Sequence, residues 1–102
     1  MNEVKILSNE NEWLEIALSG DIDLGNAEAF YNSVCEAYEK QPKSILFDCE
    51  NLEFIDSTTL GTFVKILKTV RADGYKMQLK NLQPKIKKLF VICSLDSIME
   101  IA

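Results

Sequence analysis

The chain predicts an α/β fold: one small domain, residues 1–102, in which helices pack against a mixed β-sheet of about four to five strands. Three observations carry that expectation. Hydrophobic periodicity switches repeatedly between the strand period of about two and the helix period of about 3.6, so strands and helices interleave. A length of 102 residues supplies one compact core. No low-complexity linker, repeat or long charge run divides it.

The elements follow in order. "EVKIL" (3–7) and "EWLEIALS" (12–19) alternate with period two, with Leu14, Ile16 and Leu18 on one face. The turn-rich "SNENE" between them joins the two as a hairpin. "GDIDLGN" (20–26) is expected to be a loop. Asn26 then caps a helix running to about Lys40, whose inward stripe is Ala27, Phe30, Val34, Ala37 and Tyr38. In "SILFDCE" (44–50), the run Ile45, Leu46, Phe47 has the continuous apolar character of a strand buried on both faces, which places it centrally in the sheet. A second helix begins at Ser57, with Leu60, Phe63, Val64, Leu67 and Val70 inward and Thr62, Lys65, Lys68 and Arg71 opposite. It stops near Asp73-Gly74, where glycine accepts a left-handed backbone. "YKMQLKN" (75–81) is a strand, "QPKIKKLFVI" (83–92) a short helix with Pro84 in its first turn, and "SIMEI" (97–101) either strand or helix. The order is ββαβαβα plus a tail. Trp13, Met77 and Phe90 take packing positions in this scheme.

Composition excludes several functions. The formal net charge of −5 and pI near 4.7 repel a phosphate backbone on average. Lys85, Lys87 and Lys88 form the solvated face of a short helix, without the sustained basic run and interleaved aromatics of a nucleic-acid site. No apolar run approaches the ~18 residues a membrane span requires, and "MNEVKILSNENE" lacks the apolar core of a signal peptide. The expected location is the cytoplasm, with no membrane partner. Histidine is absent, which removes Ser-His-Asp and Cys-His catalysis and His-bearing zinc sites. Cys35, Cys49 and Cys93 form no CxxC and are expected as reduced thiols packed as small hydrophobes. No metal, cofactor or catalytic residue is expected.

The informative stretch is "NLEFIDSTTLGTFVKIL" (51–67), where a serine and two threonines follow Asp56 at a strand-to-helix junction. Ser57 is a preferred N-cap, and capping alone would justify a hydroxyl there. The capping box is incomplete, because Leu60 stands where Glu or Gln would close it. The alternative is that the hydroxyl is phosphorylated. A phosphate on Ser57 would bring about −1.5 to −2 charges to a helix N-terminus, whose amides and dipole favour an anion. The fold would tolerate it, whereas a partner docked over that helix end would not.

At these residues the chain resembles a known family. "LSGDIDLGNAEAF" (18–30), "ILFDCENLEFIDSTTLG" (45–61) and "LKNLQPKIKKLFVICSLDSIMEI" (79–101) together look like the STAS domain of bacterial anti-sigma factor antagonists, in order and spacing, over nearly the whole chain. The family's central pattern is Asp-Ser-Ser/Thr-Gly-Leu-Gly. Asp56, Ser57, Thr58, Leu60 and Gly61 match it, and Thr59 stands where glycine is usual. The resemblance implies that Ser57, with Thr58 as second choice, is phosphorylated by an anti-sigma factor that is itself an ATP-dependent serine kinase. The unphosphorylated form would capture that anti-sigma factor and free the sigma factor, and a metal-dependent serine phosphatase would reset the switch. A threonine at position 59 brings a Cβ where glycine would allow close backbone approach, so it predicts slower phosphorylation, a different partner choice, or binding without phosphorylation.

"GDID" (20–23) corresponds to the family's Gly-Glu-Ile/Leu-Asp, with Asp21 for the usual glutamate. The resemblance brings this loop near Ser57, with Asp23 facing a basic residue of the kinase. Both aspartates also fit as turn formers that satisfy local amides. The expected partner surface is therefore Asp21, Asp23, Asp56, Ser57, Thr58, Thr59 and Gly61. Two other functions remain open. One is a STAS adaptor that is not phosphorylated, in a signalling scaffold or a transport system. The other is a magnesium-dependent phosphotransferase using Asp21 and Asp23 as a DxD pair, for which the chain is short and the preceding strand belongs to a hairpin.

Overall fold

The computed structural model describes residues 4–8 and 12–101, Ser8 by its backbone alone. Its elements are β1 (Val4–Ser8), β2 (Trp13–Ile22), α1 (Ala27–Lys40), β3 (Ser44–Ile55), α2 (Ser57–Ala72), β4 (Met77–Lys80), α3 (Pro84–Ile92), a 3-10 turn (Leu95–Ser97) and β5 (Glu100–Ile101). The "SNENE" turn falls largely on residues 9–11, outside the described residues. The tail resolves into both alternatives, a 3-10 turn followed by a two-residue strand.

The five strands lie in the order β1-β2-β3-β4-β5, with β1 antiparallel to β2 and every later neighbour parallel. Each parallel step carries one helix. Because crossovers are right-handed and the order advances in one direction, all three helices fall on the same face of the sheet. That arrangement corrects the expectation of a strand buried on both faces. In β3, Ile45, Phe47 and Cys49 are fully buried, while Leu46 and Asp48 alternate with them half-exposed on the open face. The open face carries polar pairs such as Lys80 with Glu15, 3.4 Å apart.

Rows of buried residues run across the covered face, Leu14–Ile45–Met77 and Ile16–Phe47–Leu79 in register. Phe63 of α2 sits at their centre, with ring centroids 5.3 Å from Phe30 of α1, 5.4 Å from Phe47 of β3 and 5.6 Å from Phe90 of α3. One aromatic cluster thus ties all three helices to the sheet. Met77 joins the core, and Trp13 is half-exposed on its strand.

Two strands run further than the pattern predicts. Gly20 to Ile22 continue β2, and Asn51 to Ile55 continue β3. Register shifts between Ala17 and Ser19 and between Gly20 and Asp21 break the period of two, so alternation fades although pairing continues. Gly20 takes φ +69 there, a conformation open to glycine.

Cap chemistry also differs at both long helices. Asn26 occupies the N-cap position of α1 but makes no side-chain cap bond. Its Oδ1 accepts from the Asp23 amide at 2.8 Å, and its Nδ2 donates to the Asp21 carbonyl at 2.9 Å. In α2 the N-cap is Asp56 rather than Ser57, with Oδ1 accepting from the Thr59 amide at 3.0 Å. The helix ends as expected, with Gly74 at φ +84 just beyond the Asp73 C-cap. Ile66 is buried, and so is Thr62, assigned above to the solvent side; its hydroxyl donates back to the Thr58 carbonyl at 3.0 Å. Of the cysteines, Cys49 packs as a small hydrophobe, Cys35 is half-buried, and Cys93 is exposed, contrary to expectation.

Candidate functional site

The site lies at the rim where β2 and β3 deliver their C-terminal ends. β3 runs into α2 through one residue, Asp56, whose extended backbone (φ −121, ψ −175) turns the chain from strand to helix. Its carboxylate is fully used. Oδ1 takes the Thr59 amide, and Oδ2 takes the Leu24 amide at 2.9 Å from the β2–α1 loop. These bonds favour the charged form, the Thr59 amide most, so the carboxyl titrates below its ordinary value of 3.8 despite an opposing desolvation effect.

Ser57 is the first helical residue and is exposed, as is Thr58. With Asp56 supplying the cap, neither hydroxyl is needed to hold the helix end. Thr59 differs from both: it is 0% exposed. Its hydroxyl lies against the Ile22 carbonyl at 2.5 Å and Asp56 Oδ1 at 3.1 Å, with one proton to donate between them. This corrects its assignment to the partner surface. The threonine side chain points inward and pins α2 to the end of β2.

The β2–α1 loop is a compact turn. The Asp23 carbonyl accepts from the Asn26 amide at 3.1 Å and the Ala27 amide at 2.7 Å, and Asp23 Oδ1 accepts from the Gly25 amide at 2.9 Å. Asp23 is thus half-buried and turn-forming, while Asp21 is exposed at the end of β2 opposite Phe54. Among the described residues, no group of three or more His, Cys, Asp and Glu side chains is placed to hold a metal, so Asp21 and Asp23 stand without a third donor. Gly61 is exposed one turn after Ser57, and a Cβ there would meet no heavy atom within 4 Å. What the glycine leaves is bare backbone beside Ser57.

The structure therefore brings Asp23, Asp56, Ser57, Thr58 and Gly61 to one rim, with Asp21 at its edge and Thr59 beneath. Sequence reasoning missed Leu24. Held by Asp56, its side chain is 75% exposed. It opens a groove of about 440 Å³ between α1 and α2, lined also by Tyr31, Thr58, Thr62 and Lys65. Lys65 Nζ sits 4.2 Å from the centre of the Tyr31 ring. A lone leucine in an otherwise polar turn was the available signal. No helix among the described residues is long and apolar enough to cross a membrane.

Comparison with known proteins places the fold in a family. Residues 5–102 match the STAS domain family. The anti-sigma-B factor antagonist of Bacillus subtilis (strain 168) is 29% identical over 99 residues, spanning 97% of this chain and 89% of that protein. The anti-sigma factor antagonist SpoIIAA in its unphosphorylated form superposes with a TM-score of 0.74 at 20% identity, over 97% of this chain and 86% of the other. The Bacillus cell fate determinant SpoIIAA in its phosphorylated form gives 0.74 at 23% identity, over 97% and 90%.

Proposed function

Because this chain belongs to the STAS domain family, we propose that it acts as an anti-sigma factor antagonist switched at Ser57. Unphosphorylated, it binds an anti-sigma factor that is also an ATP-dependent serine kinase, and so releases a sigma factor. A phosphate on Ser57 ends that binding, and a serine phosphatase restores it. The chain's own part is that of binder and substrate, and the chemistry belongs to its partners.

One observation carries the proposal: Ser57 is exposed in the first turn of α2, while the capping bonds are made by Asp56. A phosphate can be added without removing any bond that holds the helix. The dianion would lie beside the first-turn amides, which favour it, and beside the Asp56 carboxylate, which does not. Inside the molecule these effects oppose each other in water. Under a docked partner the dianion must also be desolvated, and a penalty of ~3–4 kcal/mol would weaken binding several-hundred-fold, each 1.4 kcal/mol being tenfold.

The burial of Thr59, at 0% exposure, speaks against its Cβ standing in the way of a kinase. Incubation with the cognate anti-sigma factor and ATP should place one phosphate on the peptide containing Ser57, and Ser57→Ala should abolish it. Phosphate located elsewhere by mass spectrometry would defeat the assignment.

A further inference from the structure

Phe54 and Leu89 are large apolar side chains left 49% and 36% exposed, and they line a single concavity of about 200 Å³ with Glu53, Ile55, Lys85 and Ile86. It forms because β3 outruns β4. Their pairing stops at Asp48, and beyond that point α3 rather than a strand accompanies this edge of β3, β2 still pairing with the other. The outer face of α3 continues the surface: Lys85, Lys88, Leu89 and Ile92 follow one another at helical spacing, Ile92 being 66% exposed. No carboxylate among the described residues pairs with Lys85, Lys87 or Lys88; the described ion pairs are Lys40 with Glu36 and Lys80 with Glu15. In a chain of formal net charge −5, these unneutralised ammonium groups beside apolar surface are a local reversal of sign.

We propose that this concavity docks a segment of the partner protein that presents one large apolar side chain flanked by carboxylates, an inference that rests on the function proposed above. The apolar side chain enters between Phe54 and Leu89, and its acidic neighbours face the α3 lysines. Glu53, on the opposite wall, repels carboxylates from its own side and so sets the direction in which the segment lies. The surface is continuous with the switch. Ile55 is two residues before Ser57, at most ~7 Å of extended chain, so an interface of ordinary size, burying roughly 800 Å² per partner, spans both. A large apolar side chain in a pocket, ringed by charge, is the arrangement in which few residues dominate affinity while the charges govern association rate and orientation. A cationic-apolar helix would also suit an anionic bilayer, but the net charge opposes approach to one.

The test measures binding of the full chain to its cognate anti-sigma factor by calorimetry and stopped flow. Leu89→Ser, at a position 36% exposed, should weaken binding about tenfold or more once the folded fraction read from its melting curve is taken into account. Lys85→Glu with Lys88→Glu should slow association and flatten its dependence on ionic strength. Wild-type chain that fails to bind the anti-sigma factor overturns the proposed function and this inference with it. Tight wild-type binding, with both variants unchanged within experimental error, overturns this inference alone. Wild-type adsorption to equal-part phosphatidylserine–phosphatidylcholine vesicles that the lysine variant loses, with anti-sigma binding unaffected, assigns the surface to a membrane and overturns it as well.

Discussion

The Leu24 backbone amide donates to Asp56 Oδ2 at 2.9 Å, joining two positions 32 residues apart in the chain. Since the other oxygen of the same carboxylate caps α2 through the Thr59 amide, one side chain fixes both the helix that bears Ser57 and the loop that displays Leu24. The proposed recognition surface and the proposed switch are thus held in a constant relation by a single group.

Replacing that carboxylate should separate its two duties. Asp56→Asn keeps an oxygen for the Thr59 amide and loses the acceptor for Leu24, so the loop should loosen while α2 stays capped. Asp56→Ala removes both and should lower the melting temperature further. Amide hydrogen exchange at Leu24 and Thr59 distinguishes the two: only Leu24 should lose protection in the asparagine variant.

The pH dependence follows from the same bonds. Asp56 in the folded state titrates below its ordinary 3.8, so the unfolded chain takes up the proton first. Its stabilisation is complete above about 3.8 and is lost as pH falls through the lower folded value. The difference in melting temperature between wild type and the non-titrating Asp56→Asn should therefore be constant at neutral pH and shrink only in strong acid. A difference that grows on acidification would contradict the bonding scheme.

Thr59→Val should destabilise the fold by about 1–3 kcal/mol, because it leaves the Ile22 carbonyl facing a methyl group in a fully buried site. Thr59→Gly should cost more, adding a void and a mid-turn glycine. Urea denaturation measures both. Anti-sigma affinity of the valine variant should match wild type once the folded fraction is taken into account, since the side chain is fully buried.

Ser57→Asp should lower affinity for the anti-sigma factor while leaving the melting temperature nearly unchanged, because Ser57 is exposed and the capping bond at this helix end is made by Asp56. Gross destabilisation would show that the helix end does not tolerate added charge.

Burial, reinforced by the nearby Asp48 charge, pushes the Cys49 thiol up to about 12. Cys49 should resist thiol-directed reagents in the native chain at mildly alkaline pH and react only on unfolding, whereas the exposed Cys93 should react at once. Peptide mapping after a brief pulse of label identifies the order.

The order of strands and helices was legible because periodicity records which residues each element buries. The phenylalanines Phe30, Phe47, Phe63 and Phe90 announce the core in the same way. The one-sided sheet was not legible: Ile45-Leu46-Phe47 has the composition of a doubly covered strand, and Leu46 is half-exposed only because every crossover goes the same way. At the site, Asp56 and Ser57 are both good caps one residue apart, and the Leu24 amide that occupies the other Asp56 oxygen lies 32 residues away, where a local pattern does not reach. Thr59 read as surface for a related reason. Its burial is paired by a carbonyl 37 residues upstream, and polar side chains satisfied at that range carry no periodic signature.

The direction of the parallel strands places Gln41–Lys43 and Asp73–Lys76, which lead into β3 and β4, at the pole opposite Ser57, where the Tyr38 hydroxyl donates to Asp73 Oδ2 at 2.6 Å. A dye, affinity handle or tether attached at the exposed Gln41 therefore hangs behind the molecule. Immobilised through it, the chain would meet an incoming protein with Ser57 facing outward.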